Sequence, residues 1–338
     1  MPVYRAKAQA GANIAFIKYW GNLDDALRLP LTNSLSMTLD RATTVTEVAF
    51  RPDLAADVLI INGVQQRGAA LERVSRHLDH LRARAGLTWR ARVLSENSFP
   101  TGAGIASSAA AFAALTAAAA AALGLDLSPR ELSTYARLGS GSAARSVFGG
   151  FVEWVAGARH EDSYAYPIAP PSHWTLVDAV AVVSTAHKAM GSTGGHALAS
   201  TSPFQPARLA HVHTALAKAR SAILARDFHA LGEVMELDAL AMHAVMMTSR
   251  PSLLYWQPGT LAVMHAVRSW REAGIPVYFT IDAGPNVHVI TLPEHESWVV
   301  AQLQAIPDVR EVLVNYPGPG VRLLEREEES SPSPNTTL

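Results

Sequence analysis

Pro100-Thr101-Gly102-Ala103-Gly104-Ile105-Ala106-Ser107-Ser108-Ala109 stands between a β-rich run and an alanine-rich run that continues to Leu125. The glycines permit a tight turn and let backbone approach a ligand without side-chain interference. A helix beginning after them points unpaired N–H groups and its positive dipole end at the loop, an arrangement suited to polyphosphate. Ser107 and Ser108 add hydroxyls that can bond phosphate oxygens or help hold Mg2+. Glycines alone fit an ordinary turn before a core helix equally well. The stretch is not a P-loop, because the Gly-Lys-Ser/Thr ending is missing.

Working outward, short β-rich runs lie at residues 43–50, 58–61 and 87–94. Between the last two, Leu71, Val74, Leu78 and Leu81 recur at helical spacing, and Gly86 is placed to end that helix. Ser128-Pro129-Arg130-Glu131 has capping-box spacing with proline in the first turn, and predicts a helix over 128–138. Residues 176–183 read as a buried strand, and 207–227, 231–246 and 260–273 as helices. Residues 277–281 and 287–291 read as strands joined by the tight loop Asp282-Ala283-Gly284-Pro285-Asn286. The expected domains are an ATP-binding lobe at 1–180, a second lobe at 181–324 and a disordered tail at 325–338.

A chain of 338 residues exceeds what one hydrophobic core usually spans, which also favours two lobes. Lys and Arg number 28 against 29 Asp and Glu, so no global basic field exists to draw in nucleic acid. The absence of cysteine excludes disulfides, thiolate metal sites and a cysteine nucleophile, and fits a cytoplasmic setting. Residues 1–7 lack the apolar core of a signal peptide. The run at 109–125 is mostly alanine, too weakly apolar for a bilayer, and reads as a buried helix. None of the 13 histidines has persuasive metal-ligand spacing: His77, His80, His211 and His213 read as helix-surface residues and His243 as packing.

The string Pro-x-x-x-Gly-x-x-Ser-Ser-Ala after strand residues resembles the second motif of the GHMP kinase superfamily. That resemblance implies an α+β fold in which an N-terminal α/β lobe and a ferredoxin-like C-terminal lobe flank a cleft that holds the active site. Five further segments resemble the mevalonate diphosphate decarboxylase and phosphomevalonate decarboxylase family, in family order. They are Ala12-Asn13-Ile14-Ala15-Phe16-Ile17-Lys18-Tyr19-Trp20-Gly21, leading to Leu31-Thr32-Asn33-Ser34-Leu35-Ser36; Ser95-Glu96-Asn97-Ser98-Phe99-Pro100-Thr101; Leu138-Gly139-Ser140-Gly141-Ser142-Ala143-Ala144-Arg145, continuing to Gly149-Gly150-Phe151-Val152-Glu153-Trp154; Met242-His243-Ala244 with Tyr255-Trp256-Gln257-Pro258; and Phe279-Thr280-Ile281-Asp282-Ala283-Gly284-Pro285-Asn286.

The resemblance implies an ATP-dependent decarboxylase of a mevalonate phosphate in isoprenoid synthesis, with a small-molecule substrate, no membrane partner and a homodimeric state. ATP would lie against Asn97, Ser98, Pro100, Gly102, Ala103, Gly104, Ile105, Ala106, Ser107 and Ser108, with Ser108 a ligand of nucleotide-borne Mg2+. A tertiary alcohol is a poor nucleophile and needs a carboxylate beside it, a role that falls to Asp282. Lys18 would hold that carboxylate ionised and offset developing charge. Arg145 would grip the substrate carboxylate. Asn13, Tyr19, Asn22, Ser140, Ser142 and Ser192 would line the substrate pocket. Without the family pattern, Asp282 reads as a turn-former, Lys18 as a snorkelling strand lysine and the serines as helix-entry residues.

Two positions depart from the pattern of the diphosphate-using members. Asn22 stands where they typically carry lysine, and Ser192 where they carry arginine. Both changes remove a cation from the same end of the substrate, so the expected substrate is mevalonate 5-phosphate, with mevalonate 5-diphosphate the alternative. His187, Lys188 and His196 are candidates to restore a contact. A kinase that does not decarboxylate, or a non-catalytic metabolite-binding relative, is disfavoured by the joint presence of Lys18, Arg145 and Asp282.

Overall fold

The computed structural model describes residues 4–99, 107–186 and 190–327. In chain order, β1 (Tyr4–Ile17) leads through a small hairpin of β2 (Asn22–Asp24) and β3 (Leu29–Pro30) to β4 (Ser34–Arg51). Then come β5 (Val58–Ile61), β6 (Val64–Gln66), α1 (Ala69–Ala85), β7 (Arg90–Asn97), α2 (Ser107–Ala122), α3 (Pro129–Gly139), α4 (Ala143–Ser146), β8 (Phe151–Trp154) and β9 (Ala165–Ala169). The second half runs β10 (Val177–Val182), α5 (Ser192–Leu198), α6 (Gln205–Ala225), α7 (Phe228–Thr248), α8 (Pro258–Glu272), β11 (Val277–Ile281) and β12 (Val287–Thr291). It closes with α9 (Glu296–Gln304), β13 (Glu311–Asn315) and β14 (Arg322–Glu327).

The first sheet has the order β14-β1-β4-β7-β5-β6, with β8 added to β4 and β9 to β8. Its β5–β7 pair is parallel and its other pairs are antiparallel. Helix α2 packs on β1 and β4, and the match is one of small residues: Ala6, Ala8 and Ala10 share a buried cluster with Ala113, Ala114 and Ala118. Alanine on both surfaces lets helix and strand approach closely and leaves α2 apolar on every face, as a buried helix is. The same smallness hides β1 from a sequence reading, because Ala and Gly are poor strand formers that earn no place by propensity.

The second sheet is fully antiparallel in the order β11-β12-β10-β13. With α8 between β10 and β11, and α9 between β12 and β13, it has the ferredoxin-like order. Helices α8 and α9 cover one face around Val263, Val267, Phe279, Val289 and Leu303. Helices α6 and α7 lie against the other face and also against β1, so that Phe16, Val212, Met235 and Ile290 belong to one core shared by the two halves.

Several expectations hold in detail. Ser128 and Glu131 form the reciprocal capping box, at 3.3 Å for Glu131 N to Ser128 Oγ and 3.0 Å for Ser128 N to Glu131 Oε2, and Gly86 ends α1 with φ 66°. Others need correction. The expected domain boundaries split at 180, yet β10 already belongs to the second sheet at Val177. Residues 322–327 form edge strand β14 on β1, so 322–324 join the first sheet rather than the second lobe, and 325–327 are not a tail. Their acidic character has a partner: Glu327 meets Arg5 at 3.0 Å and Glu325 meets Lys7 at 3.7 Å. The rest of the expected tail, 328–338, lies outside the described residues. His77 is buried rather than on the surface, with its Nε2 2.8 Å from Thr116 Oγ1. No helix among the described residues is long and apolar enough to cross a membrane.

Candidate active site

Residue 18 follows directly on the end of β1, a position from which its side chain leaves the sheet. Lys18 is 1% exposed, and its Nζ donates to Asp282 Oδ1 at 2.6 Å. Both partners are held through their backbones. The Lys18 N–H donates to Asp238 Oδ2 at 2.6 Å, and Arg208 Nη2 donates to the Lys18 carbonyl at 2.8 Å. Asp238 on α7 and Arg208 on α6 are themselves fully buried, so the second half of the chain clamps the strand end of the first.

Asp282 opens the turn between β11 and β12. Asn286 pins the far side of that turn, its Oδ1 accepting from Val183 N at 2.8 Å and Ser184 N at 2.9 Å. His243 Nε2 donates to the Asp282 carbonyl at 3.1 Å. A carbonyl can only accept, which fixes the proton on Nε2, and burial pulls the His243 pKa down to about 4, keeping the ring neutral. The Asp282 carboxyl is pulled two ways: burial raises its pKa, while the Lys18 charge, His288, the Lys18 hydrogen bond and Arg145 together hold it below the ordinary carboxylate range. Burial lowers the Lys18 pKa, and the attraction of Asp282 opposes that shift. The result is an ionised carboxylate with 24% of its side chain open to a cavity.

Arg145 on α4 is 3% exposed. Its Nε donates to Ser36 Oγ at 2.9 Å, Nη1 to Ser34 Oγ at 2.6 Å and Nη2 to Asn13 Oδ1 at 3.0 Å. A guanidinium has five N–H donors, so these bonds leave one on each η nitrogen. Among the described residues no carboxylate forms an ion pair with it, and burial lowers its pKa to about 10. A buried, fixed and unneutralised guanidinium is a receptor for a carboxylate.

These groups share a cavity of about 280 Å³, which takes its lining from both halves of the chain. Lys18, Tyr19, Ser107, Ser108, Ser140, Ser142, Arg145, Ser192 and Asp282 all line it. Gly141 makes the approach possible, since a Cβ there would stand 2.6 Å from the Tyr19 ring and 2.9 Å from Trp154. Ser108 Oγ lies 3.0 Å from Ser140 Oγ, joining the start of α2 to this cavity. A second, mostly apolar cavity of about 200 Å³ shares Ser107 and Ser108 with the first, and is lined further by Leu59, Ile61, Val93, Asn97 and Phe112.

Three expected site residues fall elsewhere. Asn13 does not line the cavity; its amide NH2 is spent on Ser146 Oγ at 2.8 Å and the Ser142 carbonyl at 3.1 Å, so it holds Arg145 in place from behind. Asn22 is likewise outside the lining, accepting from the Tyr19 hydroxyl and donating to Asp25 Oδ1 at 2.6 Å. Ser98 donates its hydroxyl to the Arg41 carbonyl at 2.6 Å and lines neither cavity. Pro100, Gly102, Ala103, Gly104, Ile105 and Ala106 lie outside the described residues, as do His187 and Lys188. His196 does line the cavity, but its Nδ1 accepts the Gly21 N–H at 3.0 Å and burial lowers its pKa to about 3. It is a neutral wall, stacked on Tyr19 at 4.0 Å. Sequence reasoning missed Asp238, Arg208 and Arg28. Asp238 and Arg208 sit on helices far along the chain, and only the fold brings them to Lys18.

A lysine-bound carboxylate beside a receptor for an anionic acid can deprotonate or orient an alcohol on that acid. Set between two such lobes, with a helix start alongside, this chemistry marks the GHMP kinase class. The comparisons narrow it. Residues 10–165 match the family model for the diphosphomevalonate decarboxylase-like N-terminal domain, and 179–330 match that for the mevalonate 5-diphosphate decarboxylase C-terminal domain. The chain is 39% identical over 293 residues to the phosphomevalonate decarboxylase of Haloferax volcanii, covering 86% of this chain and 89% of that one. The crystal structure of mevalonate diphosphate decarboxylase from Staphylococcus aureus superposes with a TM-score of 0.91 at 40% identity, over 96% and 98% of the two chains. Another solved structure, described as MDDEF in complex with MVAPP, AMPPCP and magnesium, gives 0.90 at 39% identity over 96% and 99%. The chain belongs to the mevalonate diphosphate and phosphomevalonate decarboxylase family, ATP-dependent decarboxylases of mevalonate phosphates.

Proposed function

We propose that the substrate is mevalonate 5-phosphate and the product isopentenyl phosphate. The Haloferax volcanii relative is named for the monophosphate and most of the other relatives for the diphosphate, so the monophosphate choice rests on this chain's residues. The observation that carries it is the neutrality of the two positions where diphosphate users place cations. Asn22 is bonded to Tyr19 and Asp25, and Ser192 brings only a hydroxyl to the cavity. Each absent charge-assisted contact is worth on the order of 1.5–3 kcal/mol, and a diphosphate needs more of them than a monophosphate.

In this reading the substrate carboxylate lies on Arg145 and its tertiary 3-hydroxyl on Asp282. Asp282 orients that hydroxyl and receives its proton as the oxygen attacks the γ-phosphorus of ATP, and ADP leaves. Lys18 keeps the carboxylate ionised in the resting site and offsets charge as the phosphoryl group transfers. The C3–O bond then breaks with its electron pair on the departing phosphate. The electrons of the C1–C2 bond form the new alkene, and CO2 is released.

The nucleotide would place its phosphates at the start of α2, where Ser107 and Ser108 face both cavities, and its base in the apolar cavity between Ile61 and Phe112. Mg2+ would arrive with the nucleotide and neutralise phosphate charge. Ser108, which lines both cavities at the start of α2, is the side chain suited to touch it. A homodimer is part of the same reading, supported by the family resemblance and checked by sedimentation.

The second reading is mevalonate 5-diphosphate, favoured by the names of most of the relatives, the Staphylococcus aureus enzyme among them. Parallel kinetics on the two substrates, with product identification, separate them. A higher kcat/KM on the diphosphate overturns the monophosphate choice.

A further inference from the structure

We propose that Arg28 is the specificity-determining grip on the substrate's 5-phosphate. The inference rests on the substrate class argued above and names the group that recognises its phosphorylated end. Arg28 sits at the turn of the β2–β3 hairpin with φ 50°, in the left-handed region that non-glycine residues seldom occupy. The side chain of Arg28 is tethered as well as its backbone. Here Nε donates to the Leu138 carbonyl at 2.9 Å, tying the side chain to the end of α3, two residues before Ser140.

That single anchor leaves Nη1 and Nη2, with four N–H donors, lacking hydrogen-bond partners among the described residues. No carboxylate there forms an ion pair with it, and the guanidinium lines the same cavity as Tyr19, Ser140 and Ser192. A half-buried planar fork, fixed at its root and open at its tip, has the geometry that binds a phosphate bidentately.

The other cationic and potentially cationic side chains among the described residues that line this cavity are already committed. Lys18 is committed to Asp282, and Arg145 is anchored among Asn13, Ser34 and Ser36. His196 is neutral and occupied by the Gly21 N–H. Arg28 therefore supplies the charge that Asn22 and Ser192 do not. One fork also matches one phosphate group.

The test compares wild type with Arg28→Met and Arg28→Lys, using steady-state kinetics and calorimetric binding of mevalonate 5-phosphate and of unphosphorylated mevalonate. In Arg28→Met the KM for mevalonate 5-phosphate should rise between about tenfold and a hundredfold, while the KM for ATP stays within about twofold. The preference for phosphorylated over unphosphorylated ligand should shrink by the same factor. Arg28→Lys keeps the charge without the fork and should show a smaller rise, which covers the case in which Met unfolds the hairpin. Unchanged KM in both variants, or equal loss for both ligands, overturns the assignment. The substrate choice is judged separately on wild type. A wild-type preference for the diphosphate sinks that choice, yet Arg28 remains the phosphate grip if Arg28→Met weakens the diphosphate selectively.

Discussion

At one end of the cavity Lys18, Asp282 and Arg145 are each held by two or more bonds from buried neighbours, backbone and side chain alike. At the other end Arg28 has one hydrogen-bond anchor among the described residues, on a short hairpin where Leu23 is 60% exposed. The difference follows from what each end must do. Proton handling and phosphoryl transfer lose rate steeply with small misplacements, which favours a site built into the shared core. Recognition of a phosphate tolerates adjustment, and a hairpin can change its charges without disturbing the sheet. The reacting end should therefore be unforgiving of substitution and the phosphate end tunable.

The largest effect expected is at Asp282. Asp282→Asn removes the proton acceptor but keeps the shape, so kcat should fall by about 10³-fold or more with nucleotide affinity retained. Near-normal turnover, measured as ADP release alongside CO2, would remove Asp282 from its role.

Next is Lys18→Met, expected to cost about 10²- to 10³-fold in kcat and to move the acid limb of the pH profile. In the proposed mechanism Asp282 works ionised, and its pKa in the folded protein lies below the ordinary value. Activity thus persists above that depressed pKa and is lost as pH falls through it. Removing the Lys18 charge leaves burial to push the carboxyl up, so the acid limb of kcat/KM should shift to higher pH. A limb that stays in place means that another cation holds Asp282.

That Lys18, Arg145 and Asp282 share one cavity was legible in sequence because each sits in a contiguous segment of the family pattern; residue type alone would have left Asp282 a turn-former and Lys18 a strand lysine. The helix caps at Ser128 and Gly86 were legible from local spacing. Asp238 and Arg208 were not, since they reach Lys18 across separations of 220 and 190 positions. Arg28 escaped because its neighbours Leu27, Leu29 and Pro30 carry no ligand-binding signal, and its placement depends on the Leu138 carbonyl, 110 positions away. The roles of Asn13 and Asn22 were blurred by a related limit: a motif shows that a residue is near a site, not which atoms its amide is spent on. Strand β14 was masked by charge that pairs with Arg5 and Lys7 instead of facing water.

A smaller effect is expected one layer behind the reacting pair. Asp238→Asn leaves Arg208 as a buried charge without its carboxylate, at a cost of about 3 kcal/mol in stability. Loosening of the Lys18 backbone should lower kcat by about tenfold while the KM for ATP stays near wild type. The acid limb should not move, because Asp282 keeps its lysine. A moved limb would show that Asp238 acts on the charge of the pair and not on its position.

The smallest effect should come from the tunable end. Asn22→Lys breaks the bond that the Tyr19 hydroxyl donates to Asn22 and returns a cation to the hairpin, and Ser192→Arg adds one from the facing segment. Neither position touches Lys18, Asp282 or Arg145, so kcat on mevalonate 5-phosphate should stay within about threefold. The ratio of kcat/KM for the diphosphate over the monophosphate should rise by about tenfold in the double variant, one charge-assisted contact's worth after side-chain ordering is subtracted. The single variants should each give less, because a flexible lysine on an exposed turn loses entropy when it engages. If the ratio does not change while Arg28→Met still weakens phosphate binding, the hairpin's discrimination lies in Arg28 alone. If kcat collapses instead, the two ends of the cavity are mechanically coupled, and the contrast between a rigid reacting end and a tunable phosphate end fails.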